Sequence, residues 1–427
     1  MCVWSSPYLA QLTAPGSPLP LTLTEASWVA SLLYLGRLVG AFLGAVSVSW
    51  LGSKKTTLIT AIPTALGWIL MIAADSPIWL YAARICLGLG FGFAYSCFAL
   101  YLGEVAAPEI RGSLVSFAVM GGPVGNFLAS VTGSNMSLRA SSVTYFVPCV
   151  LLVILMCLLP DSPHHLVKVG NFEAARKSIA WYRGSEKVEN ELEEVTRFVK
   201  ATGAASFMER MAEFRLRHVR RATVLVMMLF AFMQLSGLNN VLFYMEIILI
   251  RGKSSVIQPS NVVSYVLLCS VVVAIISIGL YDKCGRRILM MVSATGVSIS
   301  LVGLGTHFIL QEKGIVWVGS QWLPVATLFV FITFFVIGLG SIPSIVSSEV
   351  YAANIKSVAC CIANLTAAGA AFFASKSYQP LVDLFGEAYV FYGHAIITFM
   401  AVPYAVFYMP ETKGKSLQQI QDDLIRK

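Results

Sequence analysis

The chain has 427 residues, 57% of them hydrophobic and only 12% charged, and a net charge of +8 at pH 7. A soluble domain carries about 25% charged residues, so the composition excludes a water-soluble enzyme or adaptor and points to an integral membrane protein. The positive excess would suit a nucleic-acid binder, but its placement along the chain assigns it to a membrane surface, as shown below.

The first 24 residues carry Pro7, Pro15, Pro18 and Pro20 and no long apolar run, so neither a cleavable signal peptide nor a spanning helix is expected there. Residues 1–25 are assigned to an extracellular segment. Apolar stretches of about 20 residues, the length a bilayer core demands, then recur. They fall near 26–50, 57–74, 78–102, 112–134, 142–160, 222–250, 261–281, 288–310, 322–348, 357–379 and 387–409, which makes eleven spans. Residues 26–160 form a first half of five spans and 222–409 a second half of six. Between them, 161–221 is the only long polar stretch. It has helical patches at Phe172–Tyr182 and Val188–Val199, where charged and apolar residues alternate at helical spacing. Residues 410–427 form a tail.

Placing the segment after the first span in the cytoplasm and alternating thereafter puts 23 of the 30 Lys and Arg on that side. Arg139, Arg251, Lys253 and Lys313 fall opposite. Such asymmetry fixes orientation, predicts a cytoplasmic tail and linker, and accounts for the net charge. The nine cysteines are scattered, Cys360 and Cys361 are adjacent, and none has metal-ligand spacing, so they are read as small packing residues. No phosphate loop, nucleophile elbow or metal motif is present in the sequence. Neither enzyme chemistry nor a cofactor is expected.

The halves repeat. Glu104-Val-Ala-Ala-Pro-Glu-Ile-Arg111-Gly112 returns 245 positions later as Glu349-Val-Tyr-Ala-Ala-Asn-Ile-Lys356-Ser357, identical at four of nine positions. Pro160-Asp-Ser returns as Pro410-Glu-Thr, 250 positions on. Parallel membrane halves of this kind characterise transporters that rock about a central site.

Six motifs now stand in order: Arg84-x-x-x-Gly88-x-Gly90-x-Gly92; Glu104 through Arg111-Gly112; Pro160-Asp-Ser-Pro163; Gln234-Leu-Ser-Gly-Leu-Asn239; Asp282-Lys-Cys-Gly-Arg286-Arg287; and Pro410-Glu-Thr-Lys-Gly-Lys-Ser-Leu417. Together they resemble the sugar porters of the major facilitator superfamily over nearly the whole chain, from Trp28 to Leu424. Ser27-Trp28-Val29, Glu104 with Pro108, and Ala180-Trp-Tyr-Arg-Gly184 resemble a subgroup, the facilitated trehalose transporters of insects. The implied fold is all-α, two pseudo-symmetric helical halves that here lack the first of the usual spans. Trp4-Ser-Ser-Pro7 resembles the outer end of such a span, so an incomplete product is expected over a true variant. The acid that couples sugar porters to protons lies in that helix, so proton coupling is left open.

The resemblance implies a facilitative carrier of trehalose or a hexose, working by alternating access in the plasma membrane. Its implied partners are a small sugar and the lipid bilayer, with no nucleic acid. Two alternatives stay open: a non-transporting sugar receptor or regulatory protein, and a carrier of another polyol or small organic solute. Sugar recognition needs donors and acceptors in a mostly apolar pocket with an aromatic wall. Gln234, Asn239, Asn240 and Tyr244 in the seventh span meet that need, and the offsets of five and ten put Gln234, Asn239 and Tyr244 loosely within one broad helical face. Asn126 and Asn364 are further candidates. Amides buried in lipid are costly unless satisfied, although interhelical bonding would also satisfy them.

By resemblance, Arg84 ties cytoplasmic helix ends, and Glu104, Arg111, Asp282, Arg286, Arg287, Glu349 and Lys356 form latches that break when the inner side opens. An exposed ion pair contributes only about 0–1 kcal/mol, so several are needed, and modest strength suits an element that exchanges between two states. Ser49 and Ser53 replace an acid and a base of the first-half turn, which predicts a weaker inner latch and an inward-open resting bias. Gly237, Gly338, Gly340 and Pro343 are expected hinges, while close packing accounts for Gly88, Gly90 and Gly92. Val119, Met233, Ser344 and Leu365 stand where the family has amide or tryptophan side chains, which permits a larger or different ligand. For Arg37, mid-span, lining a vestibule and pairing with a carbonyl are equally open. Asn135-Met-Ser137 fits a glycosylation sequon on a loop too short for ready occupancy.

Overall fold

The structure is a computed structural model and describes residues 4–17, 19–107, 110–185, 188–203, 212–254, 256–315, 319–415, 418–420 and 424. Nine residues of the expected N-terminal segment form a short helix, α1 (Ser5–Thr13). The first half continues with α2 (Leu23–Leu51), α3 (Ser53–Ile72), α4 (Pro77–Val105), α5 (Arg111–Asn135) and α6 (Leu138–Leu158). The polar connection folds as α7 (Pro163–Lys168), α8 (Phe172–Arg183) and α9 (Glu189–Gly203). The second half contains α10 (Arg217–Leu235), α11 (Leu238–Arg251), α12 (Pro259–Lys283), α13 (Arg286–Glu312), α14 (Leu323–Ile337), α15 (Ile342–Val350), α16 (Ala353–Phe385), α17 (Glu387–Phe399) and α18 (Ala401–Phe407).

Among the described residues, ten helical segments are long and apolar enough to cross a membrane, with α10–α11, α14–α15 and α17–α18 each counting as one. The eleventh expected span is present as α5, a helix of 25 residues. Local sequence sets the helix starts. Thr22 and Glu25 cap each other reciprocally at the head of α2, and Pro77 occupies the first turn of α4, where its missing N–H costs nothing.

Glycines set how closely α4 packs. A Cβ on Gly88 would lie 2.2 Å from the Leu33 carbonyl oxygen, and one on Gly90 would lie 2.0 Å from Thr64 Oγ1. Gly88 therefore faces α2 and Gly90 faces α3, and the expected packing role holds for both.

The end of the bundle carrying α7–α9 is termed the linker end, and the opposite one the far end. The halves meet where α2 packs on α16, α5 on α12 and α1 on α11. The named ties between them all lie at mid-depth or toward the far end. Tyr34 bonds Asn239, Ser130 bonds Ser264, Ser6 accepts from the Glu246 backbone N–H, and Lys376 sits 3.7 Å over the Trp28 ring. Toward the linker end α5 is bare: no described position from Leu114 to Leu128 is buried, whereas Ala129 and Ser130 are. The bundle is thus closed at the far end, and α5 stands apart toward the linker end.

Candidate functional site

Chain direction changes within the seventh span. Gly237 has φ +82°, a left-handed conformation that ends α10 and starts α11. The break lets Asn239 reach back: its Nδ2 donates to Gln234 Oε1 at 2.9 Å. The Tyr34 hydroxyl, from α2, donates to Asn239 Oδ1 at 2.5 Å, and the Tyr34 ring stacks on Phe243 with centroids 5.6 Å apart. Gln234, Asn239 and Tyr34 are each at least 97% buried, so a polar chain of three residues crosses from one half to the other at mid-bundle. No described residue accepts from Gln234 Nε2, which leaves its N–H groups free for a further hydroxyl.

The remaining candidates diverge. Asn240 turns away from Asn239, as consecutive helix residues do, and its Nδ2 lies 3.0 Å from His394 Nε2. The other ring nitrogen, His394 Nδ1, lies 2.8 Å from the Leu235 carbonyl oxygen, a group that the helix break leaves without an intrahelical partner. Donation from Nδ1–H to Leu235 and acceptance at Nε2 from Asn240 form a consistent tautomer. Tyr244 stacks on Tyr378 at 4.9 Å inside the far-end closure. Asn126 and Asn364 are half-buried and make no hydrogen bond to a described residue. Of the three residues expected on one broad face, Gln234 and Asn239 meet across the Gly237 break, whereas Tyr244 packs on Tyr378.

The tenth span breaks as expected at Gly338. A Cβ there would meet Ser293 Cβ at 2.4 Å. Ser293 Oγ splints the gap, donating to the Phe334 carbonyl at 2.6 Å and accepting from the Leu339 N–H at 2.8 Å. Gly340 follows within the turn, and Pro343 occupies the first turn of α15.

The linker-end groups assemble within each half. Arg286 pairs with Glu349 at 2.8 Å, Thr412 also donates to Glu349, and the backbone N–H groups of Arg286 and Arg287 donate to Glu411. In the first half Glu104 accepts from Ser53 and from Ser162, each at the site equivalent to Arg286 and Thr412. Ser53 thus substitutes a neutral bond for an ion pair. Lys54 donates to the Leu159 carbonyl at 2.6 Å, and Arg287 to that of Val406. Lys356 bonds the Ser348 carbonyl at 3.0 Å rather than an acid. The side chains of Arg111 and Asp282 lie outside the described residues. Burial, then the Lys55 ammonium, holds the nearby His165 imidazole below its ordinary range, and burial pushes the Tyr351 phenol up to about 12.

None of these described contacts joins the two halves in this conformation, and Arg286 pairs with Glu349 within the second half. One correction follows. Arg84 lies at the opposite end of α4 from Glu104. It is fully buried, donates through Nε to the Val29 carbonyl at 2.8 Å and through Nη2 to Ser5, and places its guanidinium 5.0 Å over Trp4. Its position is set by α1, whose proline-rich sequence gave no helical signal. Arg37 lies 4.4 Å over Tyr95 and 5.0 Å over Phe91. Sequence reasoning missed Tyr34 and His394, although a histidine within an apolar span is itself a functional signal.

Residues 8–424 match the family model described as sugar (and other) transporter. The facilitated trehalose transporter Tret1 of Bombyx mori is 31% identical over 414 residues, covering 94% of this chain and 80% of that one. Tret1 of Drosophila mojavensis is 30% identical over 98% of this chain, which spans only 49% of that relative's length. Among solved structures, the proton:xylose symporter XylE bound to 6-bromo-6-deoxy-D-glucose superposes with a TM-score of 0.78 at 20% identity, covering 99% of this chain and 95% of that one. The inward-open form of XylE from E. coli gives 0.77, also at 20% identity, over the same shares of the two chains. These likenesses establish the major facilitator fold.

Proposed function

We propose that this chain, which belongs to the sugar (and other) transporter family, carries trehalose or a hexose down its gradient by alternating access. It is a multi-pass membrane protein, and we place it in the plasma membrane with the linker end and C-terminus cytoplasmic, on the strength of its Lys and Arg distribution. The observation that carries the reading is the buried Gln234–Asn239 pair at the Gly237 break. It is an amide pair at the junction of the halves, beside a helix able to bend. Amides present both donors and acceptors, which matches a ligand made of hydroxyl groups. The trehalose preference draws on the Tret1 relatives.

The test is uptake of labelled trehalose and of labelled glucose in oocytes, with surface expression measured and Gln234→Ala alongside. Saturable uptake of either sugar is expected. Loss of one buried ligand hydrogen bond, worth about 1–3 kcal/mol, should lower uptake efficiency roughly 5- to 100-fold in Gln234→Ala. Absence of uptake by surface-expressed protein would overturn the reading.

A further inference from the structure

In this conformation the acceptor assigned above to a sugar hydroxyl is already taken. Asn239 Oδ1 accepts from a phenol, Tyr34 OH, at 2.5 Å, in a pocket where Asn239 is 2% and Tyr34 3% exposed. A phenolic and a sugar hydroxyl are the same kind of donor. The bond also joins α2 of the first half to α11 of the second, and it is the tie nearest mid-depth of those that close the far end. The Tyr34 ring packs on Phe243 without help from its oxygen, and the neighbours Leu32, Leu33 and Leu35 are apolar. Packing therefore explains an aromatic ring at this position and leaves the hydroxyl unexplained.

We propose that Tyr34 is an internal stand-in for a substrate hydroxyl. It occupies Asn239 in this conformation, holds the far end closed, and is displaced by a polyhydroxylated ligand that claims the same oxygen. A ligand shifts an equilibrium only by its differential affinity for the two states. Here the differential arises because Asn239 becomes available only when Tyr34 lets go. Occupancy and opening of the far end are thereby coupled, and Tyr34 becomes a determinant of which hydroxyl patterns are accepted. The inference rests on the sugar-carrier reading for its ligand, but the tie itself does not.

The test uses purified protein carrying Ser27→Cys, a buried far-end position. The rate of maleimide labelling is read at residue 27 by peptide mass spectrometry. Tyr34→Phe keeps the ring and removes the tie, and should speed labelling roughly 2- to 10-fold, the range one neutral hydrogen bond spans in an equilibrium. Asn239→Leu, which removes the acceptor from the other side, should do the same, and the double variant no more than either. Trehalose or glucose at saturating concentration should speed labelling of the Tyr34 protein and leave Tyr34→Phe unmoved. Equal labelling with and without the hydroxyl overturns the inference. Faster labelling in both single variants, with neither sugar affecting the Tyr34 protein, upholds the tie and instead overturns the sugar reading beneath it.

Discussion

Residue identity sets most of the chemistry in this bundle, but partner choice does not follow from identity. Gln234 and Asn239 were recognisable from their motif, and they bond each other at 2.9 Å. Tyr34 and His394 were not, because one hydroxyl or one imidazole on an apolar helix carries no information about what lies opposite. Arg84 shows the same limit. Its cost in an apolar span was evident, whereas its partners Ser5 and Val29 depend on how α1 and α2 fold over it. A hydrogen bond to a charged group contributes roughly 1.5–3 kcal/mol. Arg84→Met is therefore expected to lower the thermal unfolding midpoint of the purified protein by several degrees, with Arg84→Lys recovering little because a point charge cannot make the forked contact. An unchanged midpoint in Arg84→Met would show that these bonds contribute nothing net.

At the scale of elements, the two interrupted spans follow from glycine at defined places. Gly237 takes a positive φ, and an added Cβ would lie 3.2 Å from the His394 ring. A left-handed conformation costs a non-glycine residue about 1–2 kcal/mol, so Gly237→Ala should lose about that much stability, read as a lower unfolding midpoint, and should turn over more slowly. His394→Phe should reduce the maximal uptake rate more than it changes the half-saturation concentration, since His394 supports the break and bonds Asn240 rather than the Gln234–Asn239 pair. A pure change in half-saturation with the maximal rate intact would contradict that assignment. The breaks at Gly237 and Gly338 were legible because glycine and proline punctuate helices through backbone sterics alone. The helix α1 was hidden, since Pro7 lies within it and its stability comes from burial of Trp4, Tyr8 and Leu9.

For the molecule as a whole, the conformation is decided by which ends of the halves touch. The far end is held by several weak ties, among them the Lys376 ammonium over Trp28. A cation–π contact contributes roughly 0.5–2 kcal/mol, so Trp28→Leu should shift the population measurably toward far-end opening. Spin labels at residues 139 and 320 would then report a larger fraction of long distances across that end. An unchanged distribution would show that the clasp is dispensable. In the first-half turn Ser53 stands where the family has a base, and its partner, Glu104, belongs to the same half.

Composition, hydropathy and the repeated Glu-x6-base phrase determined by themselves that this is a membrane transporter of two related halves, and six motifs in register identified the family that the comparisons bear out. Such features survive in one dimension because the bilayer imposes length and polarity on every span, and because duplicated turns keep their local geometry. Tertiary structure alone decided that Asn239 faces Tyr34 while Asn240 faces His394, and that the far end is closed. Each of these depends on the rotation and depth at which separate helices meet, and helices more than a hundred residues apart leave no record of that meeting in a single sequence.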